Sequence, residues 1–195
     1  MENTFYMSIG YPVGLGEKEE NQFFYNVELS GNLIGLSYTC YNLWKYCFFD
    51  IKSYPNILDY FNESKISKKQ IDDELETLVH NKVLVKLNVS NFDEFYKKLK
   101  ILTPMKNGFG IGVNIKENNA KIINQKQDFT ITTNQYNLWS MCDNRTMIVD
   151  IVSKYSMIYN IDEKLVIKTI LNDLLYLKTV DLLRFNKREK RRAYQ

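Results

Sequence analysis

Apolar positions along the chain alternate where a half-buried strand is expected and recur every three to four residues where a helix is expected. In the first half, Tyr6–Val13 and Gln22–Leu29 read as strands around a polar turn at Gly14–Asn21. Leu33–Leu36 follows as a short third strand after the turn residues Ser30-Gly31-Asn32. A helix is expected from about Thr39 to Phe49, with Leu43 and Cys47 four apart and Trp44 beside them. A second starts near Ser53 with Pro55 in its first turn and buries Ile57, Leu58 and Phe61. Ser67-Lys68-Lys69-Gln70 has the form of a capping box and opens a third helix, with Ile71, Leu75, Leu78 and Val79 on one face. Val83–Leu87 is a closing strand. Asn91–Leu102 reads as an amphipathic helix carrying Phe92, Phe95 and Leu99, ended by Thr103-Pro104 because a residue before proline avoids helical geometry.

The second half follows the same order. Strands are expected at Phe109–Ile115, Lys121–Asn124 and Phe129–Thr133. Helices then run from Asn134 to Met141, from a Thr146 cap through Tyr155, and from an Asp162 cap through Leu177, before a strand at Val180–Phe185. Tyr41-Asn42-Leu43-Trp44 returns as Tyr136-Asn137-Leu138-Trp139, 95 residues later, and Cys47 returns as Cys142 at the same offset. Helix-starting residues recur with it: Ser37 and Thr39 fall on Thr132 and Asn134, and Ile66-Ser67 falls on Ile161-Asp162. This is the signature of a tandem duplication. The fold expected is α+β, two tandem winged-helix-like modules, each a small antiparallel three-stranded sheet plus three helices. The divisions expected are residues 1–88 and 108–186 for the modules, 89–107 for a connecting helix and 187–195 for a basic tail.

Composition narrows the function. The hydrophobic share of 45% and charged share of 25% are those of a globular protein. The net charge of +3 is concentrated in residues 186–195, where five basic residues face Glu189 alone, which leaves the rest of the chain at −1. A nucleic-acid binder carries its positive charge on the folded surface that meets the phosphates, so this distribution argues against that class. Met1-Glu2-Asn3-Thr4 has no basic flank or long apolar run, and no stretch reaches the ~18 apolar residues of a membrane helix, so a cytoplasmic protein with no membrane span is expected. Cys40, Cys47 and Cys142 lack Cys-x-x-Cys spacing and read as reduced, buried thiols.

The chemistry-bearing residues are sparse. His80 is the sole histidine, which removes most nucleophile–base pairs and imidazole metal sites. Asp72, Asp73, Glu74 and Glu76 point in different directions on a helix and read as a solvated face. Gly108-Phe109-Gly110-Ile111-Gly112 lacks the flanking strand, helix and Gly-Lys-Ser/Thr of a phosphate loop, so alternating strand glycines are the better account. Trp44 and Trp139 read as core anchors. The expectation is a binding protein and not an enzyme, with no metal and no cofactor.

The second half resembles the PqqD-like family. The resemblance rests on Leu138-Trp139, Met141-Cys142-Asp143, Arg145-Thr146, Asp150-Ile151-Val152, Asp162-Glu163 and Asp173-Leu174-Leu175, and covers about 75 residues. Asp143-Asn144 stands where the family has Asp-Gly, and asparagine tolerates the same positive-φ turn. The first half keeps Leu43-Trp44 and Cys47 but has Phe48-Phe49-Asp50 at that turn. Members of this family recognise precursor peptides in the biosynthesis of ribosomally made, modified peptides. The resemblance implies a leader peptide added as an extra strand, beside the third helix, and presented to a peptide-modifying enzyme. In this chain it implies Phe129, Ile131 and Thr133 on the strand and Leu165, Lys168, Thr169, Asn172 and Tyr176 on the helix. The matching groove of the first half would pair Leu33–Leu36 with Asp72, Asp73 and Glu76. The alternative is a tandem winged-helix DNA-binding protein or transcriptional regulator. A recognition helix for DNA should present Arg, Lys, Asn or Gln to base edges; 67–80 turns acidic after Gln70 and 162–177 is largely aliphatic.

Overall fold

A computed structural model describes residues 3–18, 22–64 and 66–187. The fold is α+β, with seven helices and several small antiparallel sheets among the described residues. The chain divides into two compact units, residues 1–99 with 186–195, and residues 100–185.

In the first unit, Thr4–Ser8 (β1) pairs antiparallel with Leu84–Asn88 (β6) on one side and the two-residue Lys52–Ser53 (β5) on the other. Tyr11–Lys18 (β2), Gln22–Leu29 (β3) and Asn32–Leu36 (β4) form a separate meander in the order β2-β3-β4. The expected single strand Tyr6–Val13 is therefore two strands. Gly10 separates them at φ +88°, where an added Cβ would meet the Glu28 carbonyl oxygen at 2.5 Å, so only glycine lets the two backbones approach. The expected turn at Gly14–Asn21 is also corrected: most of it belongs to β2. The ladder with β3 absorbs its glycines through a bulge between Pro12 and Gly14.

Three helices follow, Tyr38–Tyr46 (α1), Tyr54–Asn62 (α2) and Lys68–His80 (α3). Each is capped by a serine side chain, Ser37, Ser53 and Ser67, that accepts from the third backbone N–H beyond it. Phe92–Leu99 (α4) packs on β6. Trp44 and Leu43 are fully buried, and Leu75, Leu78, Ile57, Val27 and Met7 close the core around them.

In the second unit, Leu102–Lys106 (β7) pairs with Leu183–Lys187 (β11), while Phe109–Asn114 (β8), Asn119–Ile123 (β9) and Asp128–Thr132 (β10) form a meander in the order β10-β9-β8. Thr133–Ser140 (α5), Ile148–Tyr159 (α6) and Glu163–Thr179 (α7) complete it. The order of elements repeats that of the first unit. So do particular bonds. Trp44 Nε1 donates to the carbonyls of Ile9 and Val83 at 3.2 and 3.1 Å, and Trp139 Nε1 donates to Leu182 at 3.0 Å. Gly108 repeats Gly10, with φ +138° and the Ile123 carbonyl 2.7 Å from its missing Cβ.

Other expectations are corrected. Residues 89–107 are not one connecting helix: the helix stops at Leu99 and the Thr103-Pro104 pair lies inside β7. Pro104 fits there because it offers its carbonyl to Asn144 N–H and, among the described residues, β11 is the one strand partner of β7, so the missing donor costs little. Thr146 does not cap α6. Met147 holds the N-cap position without a side-chain bond, and the Thr146 hydroxyl instead meets Asp143 at 3.1 Å. Thr133 belongs to α5 rather than to the strand before it. Thr132 is the N-cap and forms a complete capping box with Gln135. Asn144 takes φ +62°, as the Asp143-Asn144 turn requires. No described helix is long and apolar enough to cross a membrane. Residues 188–195, most of the basic tail, lie outside the described residues.

Candidate functional site

The residues singled out lie mainly on β10 and α7, and two sets of hydrogen bonds tie the flanks of β10 to α7 and to the turn after it. Just after β10, Gln135 Nε2 donates to Asp173 Oδ1 on α7 at 3.1 Å. Just before it, Asn124 Nδ2 donates to the Asp181 carbonyl at 3.3 Å, and Lys126 Nζ reaches the Asp181 carboxylate at 2.6 Å. The carbonyl of Asp181, a residue at φ +57°, also takes the Asn107 amide at 2.7 Å. The flanks of β10 are thus tied to α7 at Asp173 and to the turn after α7 at Asp181.

β10 pairs with β9 through the full run Asp128–Thr132, and no described strand covers its outer edge. Pleat alternation sorts its side chains. Ile131 lies opposite Ala120 and is 4% exposed, so its side chain belongs to the core and only its backbone faces outward along the edge. Phe129, opposite Ile122 on the same face, is half-buried. Thr133, at the head of α5, has a buried hydroxyl without a hydrogen-bond partner among the described residues.

On α7, Thr169 and Tyr176 lie four before and three after Asp173, so they share its row on the helix. Both are exposed, Tyr176 at 46%. Lys168 and Asn172 are exposed on the next row round, towards solvent. Leu165, 73% exposed, lies two turns before Asp173 and beyond the end of β10. Thr169 and Tyr176 thus lie on the α7 row of Asp173, the residue bonded to Gln135 just after β10, while Lys168 and Asn172 lie on the next row and Leu165 two turns earlier. Gln135, Asp173, Lys126 and Asp181 tie the flanks of β10. Only the Thr132–Gln135 spacing, a capping box, marks one of them in the sequence.

The first unit builds the equivalent helix contact from other chemistry. The Cys40 thiol, at the place of Gln135, donates to Glu74 on α3. Burial, then that carboxylate, pushes the thiol up to about 12. Asp72 does not face β4: it accepts the Tyr54 hydroxyl at 2.6 Å, and burial followed by this carboxylate raises the phenol to about 12. Asp73 and Glu76 are exposed on α3. Among the described residues no group of three or more His, Cys, Asp or Glu side chains converges. Compared with protein-family models, curated proteins and solved structures, the chain matches none.

Proposed function

We propose that the chain is a non-catalytic peptide-binding protein that recognises a leader or precursor peptide by strand addition and presents it to a modifying enzyme in ribosomal peptide natural-product biosynthesis. The observation that carries this reading is the outer edge of β10, unpaired among the described residues, in a strand whose flanks are tied to Asp173 and Asp181 by Gln135 and Lys126. An extended peptide there would gain main-chain hydrogen bonds from β10, while Phe129, Thr169 and Tyr176 would select side chains. The two winged-helix-like modules and the PqqD-like resemblance belong to this same proposal.

The test is a titration of the full chain with the precursor peptide encoded nearest to it and, separately, with duplex DNA, each across a salt series. Peptide binding with modest salt dependence is expected, and Tyr176→Ala should weaken it by ~1–3 kcal/mol if the ring is an anchor, with urea stability unchanged. Tight DNA binding that falls steeply with salt and tracks Lys68, Lys69 and Arg184, with no peptide affinity, would overturn the reading.

A further inference from the structure

The second unit shows how the space between its first two helices is filled. Asn137 Nδ2 on α5 donates to the Tyr159 hydroxyl at the end of α6, at 3.0 Å, and the Tyr159 ring lies against Tyr155 with centroids 4.4 Å apart. At the repeat offset of 95, these three residues fall on Asn42, Ser64 and Tyr60. The first unit keeps the asparagine and the supporting tyrosine. The residue that fills the gap is a serine, too short to span it.

What stands there is an open cleft of about 530 Å³, lined by Asn42, Tyr60 and Ser64 with Tyr38, Lys45 and Phe49. Its volume is in the range of ligand clefts. The Asn42 amide has no hydrogen-bond partner among the described residues. The nearby Tyr46 ring does not serve it: Tyr46 stacks on Tyr60 at 4.0 Å, its hydroxyl goes to the Asn56 carbonyl, and the Lys52 ammonium sits 5.0 Å from its centre. Tyr60 is 57% exposed, so much of its ring remains open. Lys45, one turn beyond Asn42, is exposed and forms no ion pair among the described residues.

We propose that this cleft is a docking site for a tyrosine side chain of a peptide partner. The guest phenol plays the part that Tyr159 plays in the second unit: its ring rests on the portion of Tyr60 that Tyr46 leaves exposed, and its hydroxyl meets the Asn42 amide. Lys45 at the rim favours a carboxylate beside that tyrosine. The site is separate from the β10 edge and stands whether or not that edge binds a leader peptide.

The experiment is an NMR titration of the full chain with the capped tripeptide Asp-Tyr-Gly, alongside its phenylalanine counterpart Asp-Phe-Gly. The tyrosine peptide should bind with a Kd of about 1 mM, shifting the Asn42 side-chain amide together with signals of Tyr60 and Ser64. A site that hydrogen-bonds a hydroxyl rejects the analogue lacking it, so the phenylalanine peptide should bind at least ~5-fold more weakly. Ser64→Tyr restores the ring found in the second unit and should fill the cleft from within, weakening the tyrosine peptide by ~10-fold or more; Asn42→Ala should remove the preference for tyrosine. Far-UV circular dichroism confirms that both variants fold. Binding untouched by Ser64→Tyr, equal binding of the two peptides, or no shift at Asn42 overturns the proposal. Shifts confined to residues 128–132 and 169–176 do so as well, since they report the other groove.

Discussion

Replacing each of the two core tryptophans by phenylalanine should destabilise the two units unequally. In both cases the smaller ring leaves a void of roughly 40 Å³, which at about 24 cal/mol per Å³ costs about 1 kcal/mol. The hydrogen bonds differ. Among the described residues Trp139 Nε1 serves the Leu182 carbonyl alone, and that oxygen also accepts from Asn107 N–H at 2.9 Å, so Trp139→Phe leaves it with a donor. The lost bond is then worth about 1 kcal/mol net, for a total near 2 kcal/mol. Trp44 Nε1 is shared between Val83 and Ile9. The Val83 oxygen keeps its bond from Ile9 N–H at 3.0 Å, but the Ile9 carbonyl loses its donor at a residue only 2% exposed. Stranding a buried carbonyl adds about 1–3 kcal/mol to that total, so Trp44→Phe should cost about 3–5 kcal/mol. Urea unfolding of both variants followed by far-UV circular dichroism measures the difference without relying on tryptophan fluorescence. Equal losses, or a larger loss for Trp139→Phe, would refute the assignment of Ile9 as the acceptor that depends on Trp44.

Other outcomes are expected from single sites. Gly108→Ala and Gly112→Ala both force alanine into positive φ at about 1–3 kcal/mol, but only Gly108 would also drive its Cβ into a backbone oxygen, since nothing lies within 4 Å of that position at Gly112; urea midpoints should rank Gly108→Ala well below Gly112→Ala. The thiols of Cys40, Cys47 and Cys142 are buried, and burial raises those of Cys40 and Cys142, so a thiol reagent at pH 8 should label them only after unfolding; rapid stoichiometric labelling of the folded chain would contradict this. Burial opposes ionisation of Asp143, but the N–H groups of Thr146 and Arg145 and the Thr146 hydroxyl outweigh it and hold its carboxyl below the usual range. A depressed folded value contributes stability above the unfolded carboxylate range, about 3.9, and loses it as pH falls through the folded value. The stability gap between the native chain and Asp143→Asn should therefore be open at neutral pH and close in strong acid, and a gap that widens in acid would refute the cause assigned.

The helices were legible in the sequence because their signals are local. Ser67 and Asp162 cap α3 and α7 where expected, and the two helices carrying the repeated phrase start at Tyr38 and Thr133, one residue before the expected Thr39 and Asn134, under Ser37 and Thr132. A cap and an apolar face within a dozen residues suffice to specify a helix start. The buried tryptophans and the recurrence of elements followed from the same information. Strand boundaries did not. Gly14, Gly16, Glu17 and Lys18 have turn chemistry, yet they lie in β2 because each has a partner on β3. Pro104 reads as a terminator of the preceding helix, yet it sits within β7 because that strand can spare its N–H. Strand identity depends on a ladder whose other half is remote in sequence, so propensity alone misplaces it.

The sequence by itself determined the paired helical plan, the two tryptophan cores and the turn at Asp143-Asn144. Only tertiary structure decided which surfaces stand open. Gln135 meets Asp173 across 38 residues and Lys126 meets Asp181 across 55, and these contacts tie the flanks of β10 to α7 and to the turn after it. The same holds for the cleft of the first unit: an asparagine repeated in both halves is satisfied by Tyr159 in one and, among the described residues, has no hydrogen-bond partner beside Ser64 in the other. Hydrophobic period and caps are written in neighbouring residues, whereas an edge or a cleft is defined by what distant segments fail to cover.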